Sequence, residues 1–265
     1  MEYLTLNNGI QIPKLGYGVY QIPPNITEEC VLNALKVGYR HIDTAYYYHN
    51  EREVGNAIRK SGIPREELFI TTKITGAKNY DDACRMIDEA LEKLQTTYID
   101  LMLIHWPHGD NVGMYKAMED YYERGKLRSI GLSNFYNKDL ENILKNTKIV
   151  PVVNQLETHV FRNQKEGQKL LLEKGIILES WSPLGSGSKK LFRNKILLEI
   201  ANKHHKSVAQ VALRYLYERD VLLIPRSKNS ERMKENFEIL DFSLDEDDIK
   251  QIETLDRNRS LFGWF

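Results

Sequence analysis

The sequence predicts an α/β protein of the (β/α)8 TIM-barrel class, and three observations point there. Short β-rich runs alternate with helical stretches along the whole chain. There are eight such runs, at residues 15–19, 39–42, 68–72, 98–104, 127–132, 150–153, 176–180 and 221–224. The glycine fingerprint of a doubly wound dinucleotide fold is also missing. Its nearest approach, Leu15-Gly16-Tyr17-Gly18-Val19-Tyr20, lacks the third glycine and has no helix directly after it. The 265 residues match the roughly 250 of a single barrel.

The elements follow in order. Two short strand-like pieces, 3–6 and 10–13, flank Asn7-Asn8-Gly9. An Asn-Gly pair between apolar runs marks a hairpin, because both residues tolerate positive φ. The hairpin is expected across the bottom of the barrel. Asn50 followed by Glu53 has the form of a capping box at a helix start. Ala83, Ile87, Ala90, Leu91 and Leu94 share one helical face. Val208, Val211, Ala212, Tyr215 and Leu216 do the same, with Ser207 placed to cap that helix. No Gly/Ser linker or low-complexity segment divides the chain, so residues 1–265 are expected to form one barrel domain.

Composition narrows the function classes. Lys+Arg and Asp+Glu both total 37, giving zero formal net charge, which argues against a broad nucleic-acid or membrane surface. Two cysteines, Cys30 and Cys84, fall in predicted helices. They are too few for a disulfide framework or a thiolate metal site, and fit a reducing compartment. The first residues lack a basic n-region and no run reaches membrane-span length, so a cytoplasmic protein is expected. A monomer is the expected state.

Barrel enzymes do their chemistry at the C-terminal ends of the strands. Asp43 follows the second run, Lys73 the third and His105 the fourth. Ser133-Asn134 follow the fifth, Asn154-Gln155 and Glu157 the sixth, Trp181-Ser182 the seventh, and Pro225-Arg226-Ser227-Lys228 the eighth. Polar residues after strands are ordinary one at a time. An Asp, a Lys and a His on consecutive strands are less so, because a closed barrel brings all three to one mouth. A lone Lys there is costly unless paired.

These residues carry a resemblance. Asp43-Thr44-Ala45-Tyr46-Tyr47-Tyr48-His49-Asn50-Glu51 resembles the D-T-A-x-x-Y-x-N-E signature of the aldo-keto reductase family. The segment 101–107 resembles its L-x-L-x-H-W-P stretch, Gly131-Leu132-Ser133-Asn134-Phe135 its G-x-S-N-F, and 224–236 its cofactor-clamping segment. The resemblance implies a catalytic group of Asp43, Tyr48, Lys73 and His105 that reduces aldehydes and ketones with NADP(H). Tyr48 is then the proton donor, five residues after Asp43, while Tyr46 and Tyr47 are packing or pocket wall. A free phenol titrates near ~10, and the Lys73 ammonium is expected to lower that value, with Asp43 holding the ammonium in place. His105 would align the carbonyl oxygen. His41, His49, His108, His204 and His205 are read as structural. Adjacent helical residues such as His204 and His205 face apart, and no metal is expected.

The resemblance also implies an extended dinucleotide across the mouth. Val19, Tyr20 and Asp43 would border it. Ser133, Asn134 and Gln155 would hold the carboxamide, with Trp181 stacked on the ring. Ser182, Leu184 and Ser186 would line the pyrophosphate. Arg226, Ser227, Lys228 and Arg232 suit a 2′-phosphate, because guanidinium and phosphate oxygens pair as a fork. Glu235 and Asn236 would reach the adenine. A solvated charged helix face is the bland alternative for the cations. Tyr20, Tyr48, His105 and Trp106 would meet substrate, with Phe262 and Trp264 as further wall. The apolar end, 261–265, is expected to fold over the mouth, the alternative being packing on the barrel exterior. Two rival functions are a nicotinamide-binding regulatory subunit and a metal-dependent barrel hydrolase. The intact catalytic group weighs against the first and the lack of paired ligands against the second.

Overall fold

The computed structural model describes residues 2–263. It opens with a hairpin, β1 (Tyr3–Thr5) pairing antiparallel with β2 (Gln11–Pro13). Gly9 takes a φ of +83° in the turn, a conformation that costs glycine little. Asn7 Nδ2 donates to the carbonyls of Pro151 and Gly175, and Asn8 Nδ2 to that of Arg128. All three acceptors lie just ahead of barrel strands, so the hairpin crosses the N-terminal end, the bottom.

Eight parallel strands follow in sequence order: β3 (Tyr17–Gly18), β4 (His41–Asp43), β5 (Phe69–Ile74), β6 (Leu101–Ile104), β7 (Ile130–Ser133), β8 (Val153–Glu157), β9 (Ile177–Trp181) and β10 (Leu222–Leu223). The last meets the first. Gly16 N donates to Leu223 O at 2.7 Å and Gly18 N to Pro225 O at 3.2 Å, closing the barrel. The two glycines make this seam possible. A Cβ at Gly16 would stand 2.6 Å from the His41 ring, and one at Gly18 would stand 2.9 Å from Ile224 O. The glycine pattern that fails as a dinucleotide fingerprint therefore serves strand closure.

Helices connect the strands on the outside: α1 (Pro24–Val37), α2 (Glu51–Ser61), α3 (Tyr80–Leu94), α4 (Asn111–Glu123), α5 (Asn137–Asn146) and α6 (Lys165–Leu172). The longer link from β9 to β10 holds α7 (Lys189–Phe192), α8 (Lys195–His204) and α9 (Val208–Tyr217). α10 (Ser230–Phe237) and α11 (Glu246–Glu253) follow β10. The periodic faces are as expected. Ala83, Ile87, Ala90 and Leu94 are buried and Leu91 is partly buried beside them, while Val208, Val211, Ala212, Tyr215 and Leu216 are all buried. Ser207 caps α9 in a reciprocal box with Gln210. Cys30 and Cys84 lie in α1 and α3 as free thiols.

The barrel interior changes character along its axis. At the bottom Leu6 and Ile12 of the hairpin pack with Leu101, Leu103, Val153 and Leu222. Towards the top the inward positions turn polar. This accounts for two corrections. The run at 150–153 is not the strand: β8 begins at Val153 and carries Asn154, Gln155 and Glu157 within it. Lys73 likewise lies inside β5, and Asp43, Ser133 and Trp181 are the last residues of β4, β7 and β9, rather than following those strands. Polar side chains enter the strands because they satisfy one another inside, which removes the penalty that would otherwise exclude them. A third correction concerns Asn50. It precedes α2 but makes no side-chain cap. Its amide donates to Val19 O and Ile22 O and accepts from Thr44 Oγ1, tying together the loops after β3 and β4. Among the described residues no helix is long and apolar enough to cross a membrane.

Candidate active site

Lys73 and Asp43 form the floor of the mouth. Both are essentially inaccessible, and Lys73 Nζ lies 2.6 Å from Asp43 Oδ1 and 2.9 Å from Thr44 O. Burial raises the Asp43 carboxyl, while the ammonium and the Gln155 amide pull it down. Such a pair holds together only because each charge is hydrogen-bonded in place.

Tyr48 comes from a 3-10 turn, Tyr46–Tyr48, that follows β4. Its ring centroid is 5.1 Å from Lys73 Nζ. The His105 ring meets it edge-on at 5.5 Å, and the Tyr20 ring packs at 5.0 Å. The Tyr48 phenol is pushed well above its ordinary range, first by burial and then by the negative charge of Asp43. This corrects the expectation of an ammonium-lowered phenol. Lys73 points its charge at Asp43 and Thr44 rather than at the hydroxyl, so desolvation prevails and Tyr48 keeps its proton. His105 is driven the other way. Burial and then the Lys73 charge push its pKa well below the ordinary range, leaving a neutral imidazole. Its Nδ1 is buried with no hydrogen-bond partner.

Tyr46 packs away from this centre, under Lys93 Nζ at 4.3 Å. Tyr47 is 61 % exposed and lines the cleft. Trp106 also lines it, with His108 stacked alongside at 6.5 Å. His108, read as structural, is thus part of the wall. His41 is internal, bonded to Thr71 and driven by burial to a pKa of about 3. His204 pairs with Asp248, and His205 ends α8 in the left-handed conformation.

Beside Asp43, Tyr48, Lys73 and His105 the polar residues are bonded to one another. Asn134 Nδ2 donates to His105 O and Ser133 Oγ, and its Oδ1 accepts from Trp181 Nε1 at 2.9 Å. Ser133 Oγ donates to Gln155 O. Gln155 Nε2 donates to Asp43 Oδ2 at 3.0 Å and to Glu179 Oε2 at 3.1 Å. The geometry fixes the amide orientation, because only the NH2 side can serve two carboxyls. What Gln155 offers a ligand is its carbonyl oxygen.

One cleft of about 1590 Å³ joins this cluster to the ends of β9 and β10. The model for the family described as "Aldo/keto reductase family" matches residues 14–257. The chain belongs to the aldo/keto reductase family. It is 44 % identical over 263 residues to the glyoxal reductase of Bacillus subtilis (strain 168), covering 98 % of this chain and 95 % of that one. It is 42 % identical over 264 residues to the 9,11-endoperoxide prostaglandin H2 reductase of Trypanosoma cruzi (strain CL Brener), covering 98 % and 93 %. A crystal structure of an aldo-keto reductase from a Medee basin deep-sea metagenome library superposes with a TM-score of 0.95. It is 41 % identical and the match spans 98 % and 97 % of the two chains. The protein is accordingly an NAD(P)H-dependent oxidoreductase on an aldo-keto reductase barrel.

The residues of this aldo-keto reductase fit a nicotinamide dinucleotide. Ser182, Leu184 and Ser186 border the cleft after β9, with Ser182 Oγ and Ser186 Oγ bonded at 2.9 Å. Arg226, Lys228 and Arg232 border it after β10, and among the described residues none of the three makes a salt bridge with a protein carboxylate. Ser227 is buried, held through the Tyr17 hydroxyl at its carbonyl and Asn229 at its side chain. Glu235 and Asn236 complete that end. The cations without carboxylate partners thus lie in the same cleft as Trp181 and the Asn134–Ser133–Gln155 cluster. Val19 does not fit. It is fully buried, its N–H goes to Asp43 O and its carbonyl accepts from Asn50. Its backbone holds the loops, and it does not line the cleft.

The described C-terminus folds over the same mouth in this reductase. Leu261 N donates to the buried Glu157 Oε1 at 2.8 Å. The Phe262 ring then packs against Trp181 at 5.3 Å and lines the cleft. Trp264 and Phe265 lie outside the described residues. Glu157 also receives Arg162 at 2.8 Å and His159 at 3.0 Å. The residue that sequence reasoning missed is Glu179, the second carboxyl on Gln155. It was within reach of the strand period: Glu179 and Trp181 are two apart in β9 and share the inward face.

Proposed function

We propose that the protein is an NADPH-dependent carbonyl reductase in which Tyr48 gives its proton to the substrate oxygen. The observation that carries this is the meeting of a proton-bearing phenol, a neutral imidazole and a buried ammonium–carboxylate pair at one cleft floor. A reduced nicotinamide, when bound, supplies hydride to the carbonyl carbon. Negative charge then gathers on the carbonyl oxygen, and the alkoxide so formed is a stronger base than any phenolate. Tyr48 can therefore protonate it even with its pKa raised. The neutral His105 offers one N–H to orient that oxygen, and the Lys73 charge nearby favours the negative charge on the phenol as it departs. Trp181, Asn134, Ser133 and the Gln155 carbonyl form the surface against which a nicotinamide and its carboxamide would rest.

Arg226, Lys228 and Arg232, which make no salt bridge among the described residues, support NADPH over NADH, since a 2′-phosphate provides the anion they lack. Tyr20, Tyr47, Trp106 and Phe262 make an aromatic wall that favours aldehydes and ketones with an apolar part. The name of the Bacillus relative makes glyoxal a natural first substrate to assay. The test is NADPH oxidation over a panel of aldehydes, glyoxal and ketones. Tyr48→Phe is expected to lower kcat by about 10²–10⁴-fold, the usual range for loss of a general acid. A Tyr48→Phe enzyme of full activity would overturn the assignment.

A further inference from the structure

Two buried carboxyl groups meet on one amide nitrogen in this barrel. Gln155 Nε2 gives one hydrogen to Asp43 at 3.0 Å and the other to Glu179 at 3.1 Å. Both acids are sealed from solvent, Asp43 at 1 % and Glu179 at 0 % exposure. The single ammonium there, on Lys73, is hydrogen-bonded to Asp43 and Thr44. Among the described residues Glu179 makes no salt bridge, and its Oε1 is buried without a hydrogen-bond partner. On β9 it pairs with Gln155 on one side and with the uncharged Leu222 on the other. The other buried cations are paired elsewhere, Lys14 with Asp220 and Arg162 with Glu157, and bring no second charge to Glu179. His41 and His105 are both held neutral by burial, and Tyr48 keeps its proton.

One cation cannot neutralise two carboxylates in a dry interior. Like charges that share a site force one of the pair to stay protonated. The acid in contact with the ammonium is the one that ionises. We propose that Glu179 is a positioning residue of this site, carrying a proton while Asp43 carries the charge, and that losing this proton weakens proton donation by Tyr48. The sign follows from electrostatics. An additional anion beneath the mouth makes the Tyr48 phenolate costlier, and Glu179 is among the groups that raise the phenol. Burial and the Asp43 charge push the Glu179 carboxyl up to about 8, so the change falls just above neutral pH.

The kinetic part rests on the reductase reading, but the proton itself does not, and the two are tested apart. A carboxyl raised on folding stabilises the native state fully below the ordinary carboxyl range. That stabilisation is lost as pH rises to about 8. At about pH 6.5 the unfolded forms of the buried histidines are still about half protonated and oppose this slope until about pH 7.5, but they do so equally in the wild type and in a variant at Glu179. The wild-type Tm is therefore expected to fall by a few degrees, mostly between about pH 7 and about pH 8. Glu179→Gln, uncharged and of the same shape, is expected to flatten that fall and to remove one protonated-carboxyl stretch from the neutral-pH infrared spectrum. In NADPH-linked aldehyde reduction, the wild-type kcat/KM is expected to drop through about pH 8, and Glu179→Gln to carry its rate further into alkali. Equal Tm slopes and equal infrared spectra in the two proteins would overturn the proton assignment whatever the activity. Identical pH–rate profiles, or no turnover in either protein, would overturn the positioning role, and the second result would remove the reductase reading as well.

Discussion

Tyr48, Lys73, Asp43 and Gln155 show how much a single residue's role depends on what surrounds it. An isolated ammonium beside a phenol would acidify it, yet Lys73 spends its charge on Asp43 and Thr44, and desolvation governs Tyr48 instead. The pair itself is a point of fragility. Asp43→Asn removes one partner and leaves an ammonium sealed in the interior, which is expected to cost about 3–5 kcal/mol of stability. Urea unfolding of the variant checks this, and a loss below about 1 kcal/mol would mean that the pair is not buried as described. That Asp43, Tyr48, Lys73 and His105 belong to one site was legible from sequence because a motif states residue types and spacing. The direction of the Tyr48 shift was not, because desolvation depends on every atom around the ring. Glu179 was missed for a related reason: an inward carboxyl reads as an ordinary strand residue until its neighbours are known.

Elements set which residues face the cleft together. The loop after β10 presents Arg226 and Lys228, and the first turn of α10 presents Arg232, all without carboxylate partners, while Asn229 caps α10 by accepting from Arg232 N. Cations left unpaired at a helix start favour an anionic ligand. The double variant Arg226→Ala, Arg232→Ala is expected to raise the KM for NADPH by about 10-fold or more per lost charge-assisted bond, with the KM for NADH little changed. Equal effects on both cofactors would return these residues to the role of a solvated helix face. The same scale explains the strand errors. The run at 150–153 has a strand's composition, but Pro151 has no N–H to give, so interstrand bonding starts at Val152 and the strand itself spans Val153–Glu157. Polar Asn154, Gln155 and Glu157 could be admitted to β8 because Phe135 O accepts from Asn154 Nδ2, two carboxyls accept from Gln155, and Arg162 and His159 donate to Glu157.

The whole molecule separates stability from chemistry along the barrel axis. The bottom is closed by Leu6 and Ile12 against Leu101, Leu103 and Leu222, and the top is polar and open. Ile12→Ala, at a fully buried position, is expected to cost about 2–5 kcal/mol and lower the Tm, while the KM for cofactor and substrate at low temperature stays as in the wild type. A raised KM with no change in Tm would show that the hairpin acts on the mouth. The alternation of eight runs with helices, the Asn-Gly hairpin and the ordered motifs were all in the chain itself, since period, turn chemistry and residue spacing are local properties. Closure at Gly16 and Gly18, the inward turn of Gln155 and Glu179, and the protonation of each acid were decided only by the assembled barrel. They depend on distances between residues far apart in the chain, and on how completely water is shut out between them.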